Sequence, residues 1–481
     1  MAQIQGFFHR GIGVTTKNRE SLLSHGNVAG RQAVLDIIEA GIAAADPYDG
    51  TRALLRLEED RLTVGRADRS VPAGNGPQVF DLKTINSIYV VGGGKAVQRQ
   101  AKAFEDVLGE RITEGHINIK KGEQVQLKRI GVTLAGHPLP DQDGVRGASK
   151  IFDILGRARE GDIVFWLRSG GGTSLLALPV EGVTLEELAE VSRVLYFGAG
   201  ASMPEINIVR NLISVLGLKH PKYVRGATLF EFLADEIPAG SKGHVVGLPA
   251  VAGDPYGRAK AVLNKYRVWD KIPRSVRDII AQKDSKNLPP SPTELRMRPF
   301  YVYRVIDPHA MFEAALGEAR ALGLNAAVLA LSFNDIDARA TGEVLGDIAQ
   351  ESDLFGRPLT PPCVFLSGGE TVVAVGRETG IGGRNQELVL AASTRITGSK
   401  NIVIGSVDSD GTDGPTNMAG GIVDGTTSAR ILEAGFDLGE ELRHHNSTPV
   451  LQALGDTVVL GNTGTNLRDL RVVYVGAAAE K

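Results

Sequence analysis

Two apolar runs, at residues 85–91 and 163–167, each break off at a glycine-rich turn that leads into a helical pattern. The first turn reads Gly92-Gly93-Gly94-Lys95 and the second Ser169-Gly170-Gly171-Gly172-Thr173. A strand followed by a helix does not return as a hairpin. It builds a parallel sheet that helices must cover on both faces, so the chain belongs to the α/β class. Other segments carry the same alternation. Helical spacing runs through 27–45, with Asn27 as its cap, and through 185–196, opened by Thr184. Further helices are expected at 309–322, 341–349 and 384–393. Strands are expected at 326–331, 364–366, 372–375, 401–404, 458–460 and 472–475.

A chain of 481 residues exceeds one ordinary core, so two domains are expected. Pro289, Pro290, Pro292 and Pro299 sit among polar residues and read as the interdomain crossing, giving domains 1–290 and 300–481. A net charge of -3 and no run of Lys and Arg give no face for nucleic acid. The single cysteine, Cys363, lies in an apolar run and reads as a small core residue. No apolar stretch approaches the roughly 18 residues of a membrane span, and residues 1–13 lack an apolar leader core. A cytoplasmic protein, monomer or homodimer, with no membrane partner is the expectation.

The 59 glycines cluster in short runs rather than in repeats, as where a backbone approaches a ligand. Gly92, Gly93 and Gly94 would form an anion site at a helix start, and Lys95 adds charge there against the helix dipole. The bland alternative is a tight strand-to-helix turn. Ala96 after the lysine rules out a P-loop, and Val97 stands where a dinucleotide fingerprint needs a small residue. Ser169, Gly170, Gly171, Gly172 and Thr173 make a second nest with hydroxyls. Ser367-Gly-Gly-Glu370-Thr reads equally as a hairpin turn or a ligand loop, with Glu370 the working residue in the latter.

The densest cluster is Gly382-Gly383-Arg384-Asn385-Gln386-Glu387, followed by Asp408, Asp410 and Asp413 in one Asp/Gly loop. Arg384 can grip phosphoryl or carboxylate oxygens bidentately. The aspartates look like cation ligands, although Thr412, Asp413 and Ala419 break the EF-hand pattern. A few carboxylates in a flexible loop suit Mg2+ held jointly with substrate phosphates, and a solvated Asp/Gly turn is the bland alternative. The combination argues for phosphoryl transfer from a nucleotide to a small acid.

These residues carry a resemblance to the glycerate 2-kinase family, two-domain proteins whose C-terminal half is called the MOFRL domain. The matching segments run from Val91-Gly-Gly-Gly-Lys-Ala96 and Ala135-Gly-His-Pro-Leu-Pro-Asp141 through Glu205-Ile-Asn-Ile-Val-Arg210 to Asp410-Gly-Thr-Asp-Gly-Pro-Thr416 and Thr463-Gly-Thr-Asn466. The resemblance implies a Rossmann-like parallel-sheet N-terminal domain, a smaller α/β C-terminal domain, and an active site in the cleft between them. It also implies ATP as donor, the 2-hydroxyl of D-glycerate as acceptor, and Lys95 with Arg384 as the catalytic pair. Glycines 92–94, 170–172, 382 and 383, with Ser169 and Thr173, would bind phosphate. Arg210, Glu370 and Asn385 would bind substrate, and Asp410 and Asp413 would hold Mg2+. The chain departs from the family pattern at Asn211, at Gly217-Leu-Lys219, at Ala234-Asp-Glu236 and at Gly247-Leu-Pro-Ala250. Those departures keep a longer aldonate-type acid open as acceptor. An NAD(P)-dependent hydroxypyruvate reductase and a non-catalytic nucleotide or metabolite sensor are the alternatives.

Overall fold

The computed structural model describes residues 15–71, 75–234, 236–238, 253–376 and 380–477. The departure at 247–250 and residue 235 lie outside the described residues. Two compact units emerge: one contains residues 47–234 and 253–306, the other residues 15–46, 236–238 and 307–477.

The first unit is built on a seven-stranded sheet. Across it lie Ser70–Val71, Phe300–Ile306, Thr228–Ala234, Ile163–Arg168, Ile88–Gly93, Glu114–Lys120 and Gly131–Ala135. All neighbours are parallel except the short edge strand Ser70–Val71. Counted in chain order, the six parallel strands lie 3-2-1-4-5-6, the Rossmann arrangement. Every residue of Ile88–Gly93 is buried, as is all of Ile163–Arg168 except its last. This is the burial expected of strands covered on both faces. The direction of winding reverses between these two strands, which places both glycine-rich turns at the topological switch point. Helices Leu185–Ser192, Met203–Ile213, Pro255–Lys265 and Arg274–Gln282 pack into a separate apolar cluster in the same unit. Thr184 and Glu187 close a capping box on the first of these.

The second unit holds a six-stranded sheet in the order Asn325–Ala330, Cys363–Gly369, Asp469–Val475, Ile402–Asp408, Gly420–Asp424 and Thr457–Val458. Only the first pair is parallel. Helix Val28–Ala43 covers one face, and its Gly30 and Val34 meet Val403 and Gly405. Helices Ala338–Phe355 and Arg384–Arg395 cover the other, over Ile402, Ile404, Val473 and Val475. Alternate residues of one strand thus serve opposite layers.

The expected boundary needs correction. Helix Val28–Ala43, capped by the Asn27 side chain, buries Val34, Leu35, Ile37, Ile38 and Ile42. Its Arg31 lies 2.7 Å from Asp424 and 2.8 Å from Asp456, so this N-terminal helix belongs with the C-terminal sheet. The proline-rich stretch 283–299 is no crossing either; it stays within the first unit, with helix Pro292–Arg296 capped by Ser291. The strand expected at 372–375 is reduced to a single bridge from Val372 to Asp337, so residues 367–371 are not a hairpin turn. Cys363 is fully buried in its strand, as expected. No described helix is long and apolar enough to cross a membrane.

Candidate active site

At the switch point the two glycine-rich turns interlock. The backbone N–H of Lys95 donates to Gly170 O at 2.9 Å, and that of Ala96 donates to Ser169 Oγ at 2.9 Å. Gly94 N–H donates to Asn118 O at 3.2 Å. Gly94 must be glycine: its φ is +152°, and a Cβ there would lie 2.2 Å from Ser169 Oγ. Gly92 and Gly93 lie within the buried strand itself. The first turn is therefore not an anion cradle of its own, which corrects the expected role of Gly92, Gly93 and Gly94. Its donors fix the position of the second turn.

The second turn is the better nest. Gly171 takes a left-handed conformation at φ +82° and opens the one-turn helix Gly172–Leu175. A Cβ at Gly171 would sit 3.2 Å from Lys95 Cγ and 3.1 Å from the His137 ring. The lysine stem and the imidazole thus flank the turn. Lys95 itself precedes the helix Val97–Leu108 rather than lying in its first turn. In the sequence His137 stands out only as part of the segment Ala135–Asp141. It arrives because Ser174 Oγ donates to Pro138 O at 2.8 Å and Asp141 caps helix Gln142–Arg157, fixing both ends of the 136–141 loop.

Arg210 lies in the same unit, on helix Met203–Ile213, which packs against Gly172–Leu175. The residue is 3% exposed, and its Nε and Nη2 have no hydrogen-bond partner among the described residues. Burial lowers its pKa to about 10. Lys219 is as deeply buried, at 1%, and burial reinforced by Lys222 lowers its pKa to about 7. Its ammonium, however, donates to Ser214 O at 2.7 Å and Leu212 O at 3.4 Å, closing the end of the Arg210 helix.

The second unit organises its polar residues around helix Arg384–Arg395. Asp413 is fully buried. Its carboxylate accepts from the N–H groups of Asn385 (3.1 Å) and Gln386 (3.0 Å) and from both their side-chain amides. The helix N-terminus is already filled by the protein's own carboxylate, Asp413, whose pKa burial raises against the lowering by Arg384 and the backbone N–H donors. A Cβ at Gly383 would sit 2.2 Å from the Asp413 carboxyl carbon, which explains the glycine. Asn385, also fully buried, divides its amide between Asp413 and Asp469 and accepts from Ser406 Oγ at 2.5 Å. These contacts correct three expectations. Gly382 and Gly383 pack rather than cradle phosphate, Asn385 has no face for substrate, and the oxygens of Asp413 are spent on N–H donors.

Arg384 is also engaged. Its Nε donates to Asp469 at 2.9 Å, its Nη2 to Asp408 at 2.6 Å, and its Nη1 lies 3.4 Å from Glu370. Burial opposes its charge, but Asp469, Asp408 and Glu370 outweigh burial and raise its pKa well above the usual value. Asp469 also contacts the buried Arg471 at 2.5 Å, and Glu370 lies 3.3 Å from Arg468 Nε. Asp410 turns one carboxylate oxygen onto the N–H and hydroxyl of Thr412, at 2.9 and 2.8 Å. Among the described residues, no group of three or more His, Cys, Asp or Glu side chains is arranged to hold a metal ion. A carboxylate cage for Mg2+ does not fit this loop.

Residues 33–281 match a domain of unknown function (DUF4147), and residues 363–469 match the MOFRL family. The chain is 35% identical over 450 residues to the glycerate 2-kinase of Pyrococcus horikoshii, spanning 92% of this chain and 97% of that protein. It is 34% identical over 432 residues to the D-glycerate 2-kinase of Thermotoga maritima, spanning 88% and 98%. The crystal structure of a Thermotoga maritima glycerate kinase matches with a TM-score of 0.72 at 30% identity, covering 92% of this chain and 99% of that one. With the Rossmann strand order, the interlocked turns at its switch point and a MOFRL sheet all present, the chain belongs to the glycerate 2-kinase family.

Proposed function

We propose that this protein transfers the γ-phosphoryl group of ATP to the 2-hydroxyl of D-glycerate or a closely related small hydroxy acid. The observation that carries the reading is the interlocking of two glycine-rich turns at the switch point of a 3-2-1-4-5-6 sheet, with the Lys95 stem laid across Gly171. Ligands of such sheets bind beyond the carboxyl ends of the strands, where the strand order reverses. The names of the Pyrococcus and Thermotoga relatives supply the chemistry.

In this reading the backbone from Gly170 to Thr173 receives phosphate oxygens, and Lys95 neutralises charge on the transferring group. Within the second unit, Nη1 is the part of Arg384 left to meet an anion, since its 3.4 Å contact with the half-exposed Glu370 is looser than those of Nε and Nη2. Mg2+, when bound, would supply neutralisation of phosphate charge, and Asp410 would be a carboxylate ligand to it. The protein's part is placement and fixed electrostatics rather than covalent chemistry.

A coupled ADP-release assay with Mg2+ over a panel of small hydroxy acids tests this. Acid-dependent ADP release is expected, greatest with D-glycerate or a near relative. Oxidation of a nicotinamide cofactor by hydroxypyruvate without ADP release would replace the kinase by the reductase.

A further inference from the structure

The amino edge of the parallel sheet in the first unit holds a cavity that plays no part in the site described above. Its volume is about 500 Å³, a size that takes a small organic ligand. One wall is the last turns of helix Gln142–Arg157, and the other is residues 222–225. The backbone stitches the walls together, since Arg225 N–H donates to Ala158 O at 3.2 Å. Arg157 precedes strand Ile163–Arg168 and Arg225 precedes strand Thr228–Ala234, so the cavity lies where these strands begin. The Ser169–Thr173 nest lies where the first of them ends. A strand of 6 residues, rising about 3.3 Å at each, separates the two places by roughly 20 Å.

The lining combines flat apolar surface with positive charge. The rings of Phe152 and Tyr223 meet edge to face, their centroids 4.9 Å apart. Gly156 leaves the floor open, because a Cβ there would meet nothing within 4 Å. Arg157, Lys222 and Arg225 stand in the lining against the one carboxylate of Asp153. Arg157 is held by Glu114 at 2.7 Å, and Lys222 Nζ donates to Leu288 O at 3.0 Å. Arg225 is exposed, and its guanidinium has no partner among the described residues. We propose that this cavity is a second ligand site, which takes a phosphate monoester carrying a flat ring, the ring against Phe152 and Tyr223 and the phosphate on Arg225. The free guanidinium fork matches phosphate oxygens, and three cations against one carboxylate suit the double negative charge of a monoester. Helix Gln142–Arg157 starts from the Asp141 cap of the His137 loop and ends in this cavity, so the ligand bears on an element shared with the nest.

The test is a ligand-observed NMR titration with phenyl phosphate, which joins ring and head in one small molecule, beside inorganic phosphate, the head alone. Phenyl phosphate is expected to saturate the wild-type protein with a Kd of about 1 mM or tighter. Inorganic phosphate is expected to bind about 10-fold more weakly, since it leaves the two rings uncovered. Arg225→Ala is expected to weaken phenyl phosphate on the order of 10-fold or more. Gly156→Leu fills the floor and is expected to abolish binding, with Tm unchanged or raised because glycine is a poor helix former. Lys95→Ala is expected to leave the affinity as it was, the cavity being apart from the nest. No saturation of wild type, wild-type affinity in Arg225→Ala or in folded Gly156→Leu, equal affinity for the two probes, or a loss in Lys95→Ala would overturn the proposal. Should Gly156→Leu not fold, Arg225→Ala, a change at an exposed and unpartnered side chain, decides alone. Binding is read without turnover, so absence of ADP release would sink the kinase reading and leave this site standing.

Discussion

The chain contains two glycine-rich helix entrances that look alike in sequence and do opposite things. At Gly382-Gly383-Arg384 the helix N-terminus is filled by the protein's own Asp413, and the arginine is balanced by Asp469, Asp408 and Glu370. At Ser169–Thr173 the neighbours are the stem of Lys95 and the ring of His137, and on the adjoining helix Arg210 has no counter-ion among the described residues. Internal compensation builds a rigid scaffold; missing compensation leaves room for an external anion. A motif therefore reports that an anion is wanted, but only packing tells whether the protein provides it.

The contrast can be broken at four places. Lys95→Ala should lower kcat by about 10,000-fold while Tm moves little, since the residue acts on transferring charge. Activity near wild type in a phosphate-release or ADP assay would remove the Ser169–Thr173 entrance from catalysis. Asp413→Ala should cost about 3–5 kcal/mol in urea unfolding, because it strips the anion from a buried helix start beside Arg384. A variant that folds normally but needs far more Mg2+ would make Asp413 a metal ligand after all. The Arg31–Asp424 pair extends the scaffold side to pH. Burial raises the Asp424 carboxyl, but Arg31 and Thr426 more than reverse this, giving a pKa of about 2 against the ordinary 3.8. A carboxyl with a depressed folded pKa stabilises at pH above its unfolded value and loses that contribution as pH falls towards 2. The loss should be about 2 kcal/mol between pH 5 and 2, and it should vanish from the pH–stability curve of Asp424→Asn. Smallest, Gly94→Ala should raise the KM for ATP about 10-fold, about 1.4 kcal/mol, by pushing Ser169 and the second turn out of place. An unchanged KM would uncouple the two turns.

Much of the architecture was legible. The strand-turn-helix grammar at Ile88–Gly93 and Ile163–Arg168 predicts parallel strands, and Asn27 and Thr184 mark their helix starts by cap chemistry alone. What local pattern cannot carry is partnership across the chain. Helix Val28–Ala43 reads as amphipathic in either domain; only the pairing of Arg31 with Asp424, 393 positions later, assigns it to the C-terminal sheet. The site divides the same way. Residue types show that Arg384 and Asp413 are electrostatically busy, yet spacing alone cannot show that Asp413 caps the Arg384 helix. His137 carries almost no signal of its own; it is placed by the Ser174 and Asp141 anchors of its loop.

The central claim is phosphoryl transfer to a hydroxy acid at the Lys95 entrance, and phosphorus NMR of a reaction containing ATP, Mg2+ and D-glycerate tests it most directly. The account predicts ADP together with a new monoester signal whose coupling places phosphate on carbon 2, lost in Lys95→Ala. ATP that remains intact with every acid of the panel, or is split to inorganic phosphate alone, would contradict it.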